Sequence, residues 1–142
     1  MMKVTDSGHA ARLQRLASPA LIEALGRALV ASADSIAEDA AESIRADSIS
    51  GPGHIPSQPG QPPNADTHDL DESIHVGELI DTGDGLQTHV IADSDHALYM
   101  EMGTSRVEAR PFLMPAMYLG RRGTLERIAA AYNRYIRNIM EQ

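Results

Sequence analysis

From Pro19 to about residue 48, Leu21, Leu25, Leu29, Ser32, Ile36, Ala40 and Ile44 recur at helical spacing. Ala24, Ala28 and Ala33 flank that stripe, while Arg27, Asp34, Glu38, Asp39, Glu42 and Arg45 fall mostly off it. Such a period predicts one amphipathic helix over about 19–48. Ser18-Pro19 suits its start, because serine is a good N-cap and proline is favoured at the first helical position. At 1.5 Å per residue the helix is about 45 Å long. A compact fold of 142 residues is only about 37 Å across. The helix therefore either bends over its own sheet or overhangs it, and an overhanging alanine-rich stripe wants a neighbouring subunit.

The material for a core is thin. Only five aromatics are present, Tyr99, Phe112, Tyr118, Tyr132 and Tyr135, all in the last third. Earlier segments must rely on Leu, Ile, Val and Ala, which bury less area per residue. Part of the chain is thus expected to be ordered by partners. Hydrophobic residues at 42% and charged residues at 23% exclude a disordered polymer. No apolar run approaches the roughly 18 residues of a membrane span. The opening Met-Met-Lys-Val-Thr-Asp lacks the apolar stretch of a signal peptide, so synthesis in the cytosol is expected. Without cysteine there is no disulfide, zinc finger, iron–sulfur cluster or thiol chemistry.

Charge is distributed unevenly within the net of −8. Residues 34–105 carry 15 acidic groups and one arginine, Arg45, whereas residues 106–142 carry seven arginines and three acids. Such a chain is poorly suited to gripping nucleic acid over its whole surface. It suits head-to-tail contact with copies of itself or with an oppositely charged partner. A solvated acidic face is the simpler reading of the same pattern.

One domain is expected over 1–142, with a helical part at 1–48, a Pro/Gly-rich loop at 49–68, and a hairpin plus C-terminal helix at 69–142. A short helix is expected over 8–17. Five prolines and three glycines between 50 and 66 mark a loop that can be ordered against a partner at modest entropy loss. Ile74, Val76 and Ile80 alternate, as do Leu86, Thr88, Val90 and Ala92, around the turn signal Asp81-Thr82-Gly83-Asp84-Gly85. That pattern predicts a β-hairpin. Ala97–Met102 reads as a short helix or a third strand. Beyond it, Leu125, Ile128, Ala129, Tyr132, Ile136 and Ile139 keep helical spacing, with Gly120 and Gly123 expected to weaken or break the helix and Thr124 to cap its continuation.

Signals for chemistry are weak. The six histidines, at 9, 54, 68, 75, 89 and 96, show no i, i+4 pair of the kind zinc hydrolases place on a helix. Asp69, Asp71 and Glu72 offer carboxylates for acid–base work, but acidic clusters are usually solvated. No nucleophile elbow, P-loop or dinucleotide fingerprint occurs. The informative stretches are Tyr99-Met100-Glu101-Met102-Gly103-Thr104 and Arg110-Pro111-Phe112-Leu113-Met114-Pro115-Ala116. Gly103 is expected in a backbone shape open mainly to glycine. Pro111 and Pro115 stiffen the approach to a helix, Phe112 anchors it, and Glu101 and Arg110 are placed to pair across the loop.

Together with Thr67-His68-Asp69-Leu70-Asp71-Glu72-Ser73-Ile74, preceded by the proline-rich stretch, these segments resemble a known family. It is the neck or minor tail-component family of long-tailed bacteriophages, the gene-ten-product-like proteins of lambdoid siphophages. That family shows Thr-Gly-x-Leu-x-x-Ser-Ile, then Tyr-x-x-x-x-Glu-x-Gly-Thr or a shorter version, then Arg-Pro-Phe-(Leu/Met)-x-Pro-Ala before a C-terminal helix. Order and spacing agree over about 20–142. The family's Thr-Gly is Thr67-His68 here, so a glycine-only backbone shape at that point is not implied.

The resemblance implies an α+β fold in which a long N-terminal helix packs on a small antiparallel sheet, the β-hairpin, followed by a C-terminal helix. It implies a virion protein at the head–tail junction or top of the tail, assembled in the host cytoplasm, with no enzymatic activity and no cofactor. Its partners are then copies of itself in a ring, hexameric or of another symmetry matching a tail, and other neck and tail proteins, with no membrane. The residues expected at interfaces or in the structural motif are Thr67, Leu70, Tyr99, Glu101, Gly103, Thr104, Arg110, Pro111, Phe112, Pro115, Arg121 and Arg122. The acidic segment 66–101 is expected to line or approach a lumen through which DNA passes without specific binding. The C-terminal arginines, Arg121, Arg122 and Arg127, are then expected to meet a neighbour's acidic surface. Two other classes stay open: a small metal-dependent hydrolase or nuclease using the His/Asp residues of 66–96, and an assembly chaperone outside the particle.

Overall fold

A computed structural model describes residues 18–46 and 48–142; the helix expected over 8–17 lies outside them. The long helix α1 spans Pro19–Arg45. Ser18 does not cap it through its side chain. That hydroxyl instead bonds the Tyr135 hydroxyl. A short helix α2 (Asp69–Glu72) leads into strands β1 (Ile74–Val76), β2 (Ile80–Asp81), β3 (Leu86–Gln87) and β4 (Val90–Ala92). Helix α3 (Ala97–Met102) resolves the helix-or-strand alternative, and helix α4 (Leu113–Met140) closes the chain. The fold is α+β, as expected.

The hairpin has two parts. β1 pairs antiparallel with β4, Ile74 opposite Ala92 and Val76 opposite Val90. β2 pairs with β3, Ile80 opposite Gln87 and Asp81 opposite Leu86. Between them residues 77–79 face only 88–89, bridged by Gly77 N–H to His89 O at 2.8 Å and Thr88 Oγ1 to Gly77 O at 2.9 Å. One extra residue shifts every following side chain to the other face. Leu79 therefore lies over Gly26 of α1, where an added Cβ would stand 2.7 Å from its Cδ2. Ile80, expected to continue the Ile74–Val76 face, is turned outward and is exposed.

Helix α4 runs unbroken through Gly120 and Gly123, contrary to the expected break. The reason is tertiary. A Cβ on Gly120 would stand 2.5 Å from Ile36 Cγ1, so the glycine lets α4 lie close against α1. Thr124 does not cap; its hydroxyl donates back to Gly120 O at 3.0 Å. The two long helices are antiparallel, with Ile36 against Gly120, Ser35 against Arg127, and Ser18 against Tyr135. Whichever alternative the length of α1 suggested, α4 of the same chain lies along it. Of the helix predicted to about 48, Arg45 is the last helical residue: Ala46 N–H still bonds Glu42 O at 2.8 Å, and Ser48 N–H bonds Arg45 O at 3.2 Å.

The core joins Ile36, Ala40 and Ile44 of α1 to Ala65, Ala97, Phe112 and Ala116, with Leu70, Ile74, Val90, Met100 and Leu113 at its margin. Phe112, at 1% exposure, is its anchor. The proline-rich loop is tied to its own chain: Ala65 N–H to Ile44 O at 3.1 Å, Gly60 N–H to Ala109 O at 2.9 Å, and Asn64 Nδ2 to Ile55 O at 2.8 Å.

Candidate functional site

The first N–H groups of a helix have no intrahelical acceptor and carry the positive end of its dipole. In α4 they belong to Phe112, Leu113 and Met114, and a phenylalanine at the N-cap offers no side-chain oxygen. Glu101, half-buried on α3, supplies the acceptor from eleven residues upstream. Its Oε2 accepts from Phe112 N–H at 2.9 Å and Leu113 N–H at 3.0 Å, and its Oε1 from Met114 N–H at 2.8 Å. The expected Glu101–Arg110 pair does not form, because three amides occupy the carboxylate. Arg110 turns the other way, its Nε donating to Ser57 O at 3.1 Å and its Nη1 to Glu108 O at 3.3 Å. Its own N–H donates to Met100 O at 2.7 Å.

The loop between these residues is folded on itself. Gly103 has φ 72° and ψ 175°, a region open essentially to glycine alone. A Cβ there would stand 2.9 Å from Ala109 N. Thr104 N–H donates to Val107 O at 2.7 Å, and its Oγ1 accepts from Arg106 and Val107 N–H at 3.2 and 3.0 Å. Pro111 is half-buried. Pro115 is exposed in the first turn of α4, where a missing N–H does no harm. Tyr99 accepts Gly103 N–H on its carbonyl while its ring stays exposed.

A second cluster forms around α2. Thr67 Oγ1 donates to Asp69 Oδ2 at 2.6 Å, and Leu70 packs at the core margin. Between them His68 sits at φ 66°, ψ 4°. Among the described residues it is the one non-glycine with positive φ. The left-handed shape that glycine favours is nevertheless present. Local bonding holds it: His68 Nδ1 lies 3.2 Å from Asp71 Oδ1, and its Nε2 lies 3.1 Å from Ser50 Oγ. Asp71, 2% exposed, receives Arg45 Nε on Oδ2 at 2.8 Å. Burial pushes the Asp71 carboxyl up, but the hydrogen bonds from Arg45 and His68 outweigh it and hold it below its ordinary range. The bond to Asp71 correspondingly raises Arg45, against a smaller lowering by desolvation.

Ser50, His68 and Asp71 thus stand in the order of a nucleophile relay. The surroundings do not serve acyl transfer. Arg45 already neutralises the carboxylate that would support an imidazolium. The Ser50 hydroxyl has a second acceptor, Ala65 O at 3.3 Å, and the adjacent Gly51 N–H is spent on Asp66 Oδ1 at 3.1 Å. A carboxylate where an oxyanion would form is repulsive. The cluster's evident work is to tie the end of α1, the proline-rich loop and α2 together.

Sequence reading missed this network, although one sign was there: Arg45 is the lone cation among 15 acids, and a lone cation in such company finds a carboxylate. Elsewhere His75 Nε2 lies 3.5 Å from Asp93 Oδ2 and His89 Nε2 lies 3.2 Å from Gln87 Nε2. Among the described residues no three His, Asp or Glu side chains converge to hold a metal ion.

The largest departure concerns α4. Its spacing-predicted apolar face is covered only in part: Ile128, Ile136 and Ile139 are half-buried, Ile139 in the groove against Ala20 and Ala24 of α1, while Ala129 is exposed. Ala116 is the one buried residue of the helix, and Gly120 and Thr124 share its side. Tyr118 and Leu125 are 79% and 60% exposed, and Met114, Tyr132 and Met140 are also exposed. Arg121 and Arg122 lie on this outer side, Arg122 paired with Glu126 at 2.9 Å. Arg127 does not join them; its Nη2 reaches Ser35 on α1 at 3.4 Å. Compared with known protein families, curated proteins and solved structures, the chain gives no match.

Proposed function

We propose that this chain is a structural subunit of a tailed bacteriophage or prophage particle, repeated in a ring at the head–tail junction or the top of the tail. The observation that carries this reading is the backbone of His68. The resemblance puts a glycine there, and the chain keeps the left-handed shape that such a glycine serves even though a histidine occupies it. Support also comes from convergence: Leu70, Met100 and Phe112, one from each of the three resembling stretches, meet around one core against α1. These stretches hold the loops rigid, and the cleft beside the first of them, lined by His54, Asp66, His68, Asp71 and His96, gathers no metal-holding trio among the described residues. A rigid scaffold with an uncovered apolar helix face fits a subunit completed by neighbours. Acidic α2, with Asp93 and Asp95 beyond β4, would face passing DNA without binding it.

The test is mass spectrometry of density-purified tailed particles, joined to antibody labelling in the electron microscope. Label at the neck or tail top is the expected outcome. Particles that lack the chain while the lysate contains it overturn the reading in favour of an assembly factor that leaves the finished structure.

A further inference from the structure

The outer side of α4 repeats an apolar residue every seventh position, Tyr118, Leu125 and Tyr132, with Met114 and Met140 extending the line. Single exposed apolar residues are ordinary, but a line of them along one side of a helix is a packing face without its partner. Arg121 and Arg122 interrupt the line, so the missing surface must combine apolar side chains with carboxylates. Arg121 makes no hydrogen bond or ion pair among the described residues. The chain itself holds such a surface. The β2–β3 end of the hairpin exposes Leu79 and Ile80 beside Glu78, Asp81 and Asp84, and no lysine or arginine occurs from residue 46 to 105.

The two surfaces cannot meet within one molecule. Helix α1 lies between them, meeting α4 through Ile36 and the hairpin through Gly26. The bulge matters here, because without the extra residue Ile80 would face inward. We propose that the outer face of α4 docks on the β2–β3 end of the hairpin of a second copy of this chain. This rests on the assembly reading above and specifies its interface. Tyr118 and Leu125 cover Ile80 on the side of the hairpin away from α1, with the partly exposed edge of Leu79 at the margin, while Arg121 and Arg122 face Glu78, Asp81 and Asp84. Two different patches on different flanks make a head-to-tail contact, which closes into a ring when the rotation permits.

The absence of cysteine gives a clean assay. A chain carrying both Leu125→Cys and Ile80→Cys is oxidised and run without reductant, with circular dichroism to confirm folding. The expected result is a ladder of multimers beyond the dimer. Adding Arg121→Glu and Arg122→Glu should reduce it by about tenfold or more. Adding Glu78→Lys and Asp81→Lys to that reversal should restore it. Cross-links formed equally well by Leu125→Cys alone overturn the proposal, since they indicate like-with-like pairing of α4. So does a ladder indifferent to charge reversal, or no cross-link beyond that of a control pair, Leu125→Cys with Glu42→Cys. The particle experiment fails separately: a chain found at the neck without the ladder sinks this interface alone, and a ladder from a chain absent from particles sinks the virion role alone.

Discussion

Replacing Glu101 by alanine removes the acceptor for three α4 amides at 2.8–3.0 Å. Hydrogen bonds to a charged group contribute about 1.5–3 kcal/mol each, but one carboxylate serves all three and they do not add. Met114 is exposed, so water can replace its bond cheaply; the bonds at Phe112 and Leu113 are partly buried and harder to replace. The net cost should be about 3–4 kcal/mol, above the ~1 kcal/mol of an ordinary N-cap. For a chain of this length that lowers the melting temperature by about 10–15 °C. Urea unfolding followed by circular dichroism reads the free energy, and amide exchange should quicken first at Phe112, Leu113 and Met114. Glu101→Gln keeps one carbonyl oxygen but turns an NH2 toward an N–H donor, so about half the loss is expected. An alanine variant within about 1 kcal/mol of the parent would refute the claim that this carboxylate fixes the loop onto α4.

Gly120→Ala and Gly123→Ala should move in opposite directions. The first pushes a methyl against Ile36 and should cost about 1–3 kcal/mol despite its better helix propensity; the second finds only Arg127 Nη1 at 3.7 Å and should gain about 0.5–1 kcal/mol, both read by thermal unfolding. Asp71→Asn should cost about 2 kcal/mol at neutral pH, discounted because Arg45 is partly exposed. Since the Asp71 carboxyl is held below its ordinary value, its contribution is full above about pH 4 and is lost as pH falls through the lower folded value; the gap between parent and variant should therefore narrow as pH falls below about 4 in a series of unfolding curves. At His68, glycine should be more stable than alanine by about 1 kcal/mol or more, because alanine meets the left-handed backbone with neither freedom nor a hydrogen bond; equal melting temperatures for the two would argue against strain there.

Patterns of short range were legible in the chain. The α1 stripe, the turn at residues 82–85, the glycine at Gly103 and the anchoring by Phe112 each follow from local periodicity or from the backbone freedom of one residue type. Those properties act within a few positions, so the sequence by itself determined one long helix, a hairpin, helical structure at the C-terminal end and stiff loops between them. What it did not determine was which neighbour each face would find. Glu101 was placed to pair with Arg110, yet amides from a helix end nearby in space claimed it. Gly120 argued for a break, yet Ile36, far away in sequence, turned it into a close contact. One unpaired residue between Val76 and Ile80 reversed the hairpin's faces. The C-terminal stripe predicted a core face, and the tertiary structure turned much of it to solvent. Periodicity states that a helix has an apolar side; only packing, through the volumes and the hydrogen-bond partners brought together across the chain, decides whether that side is covered within the molecule or left for another.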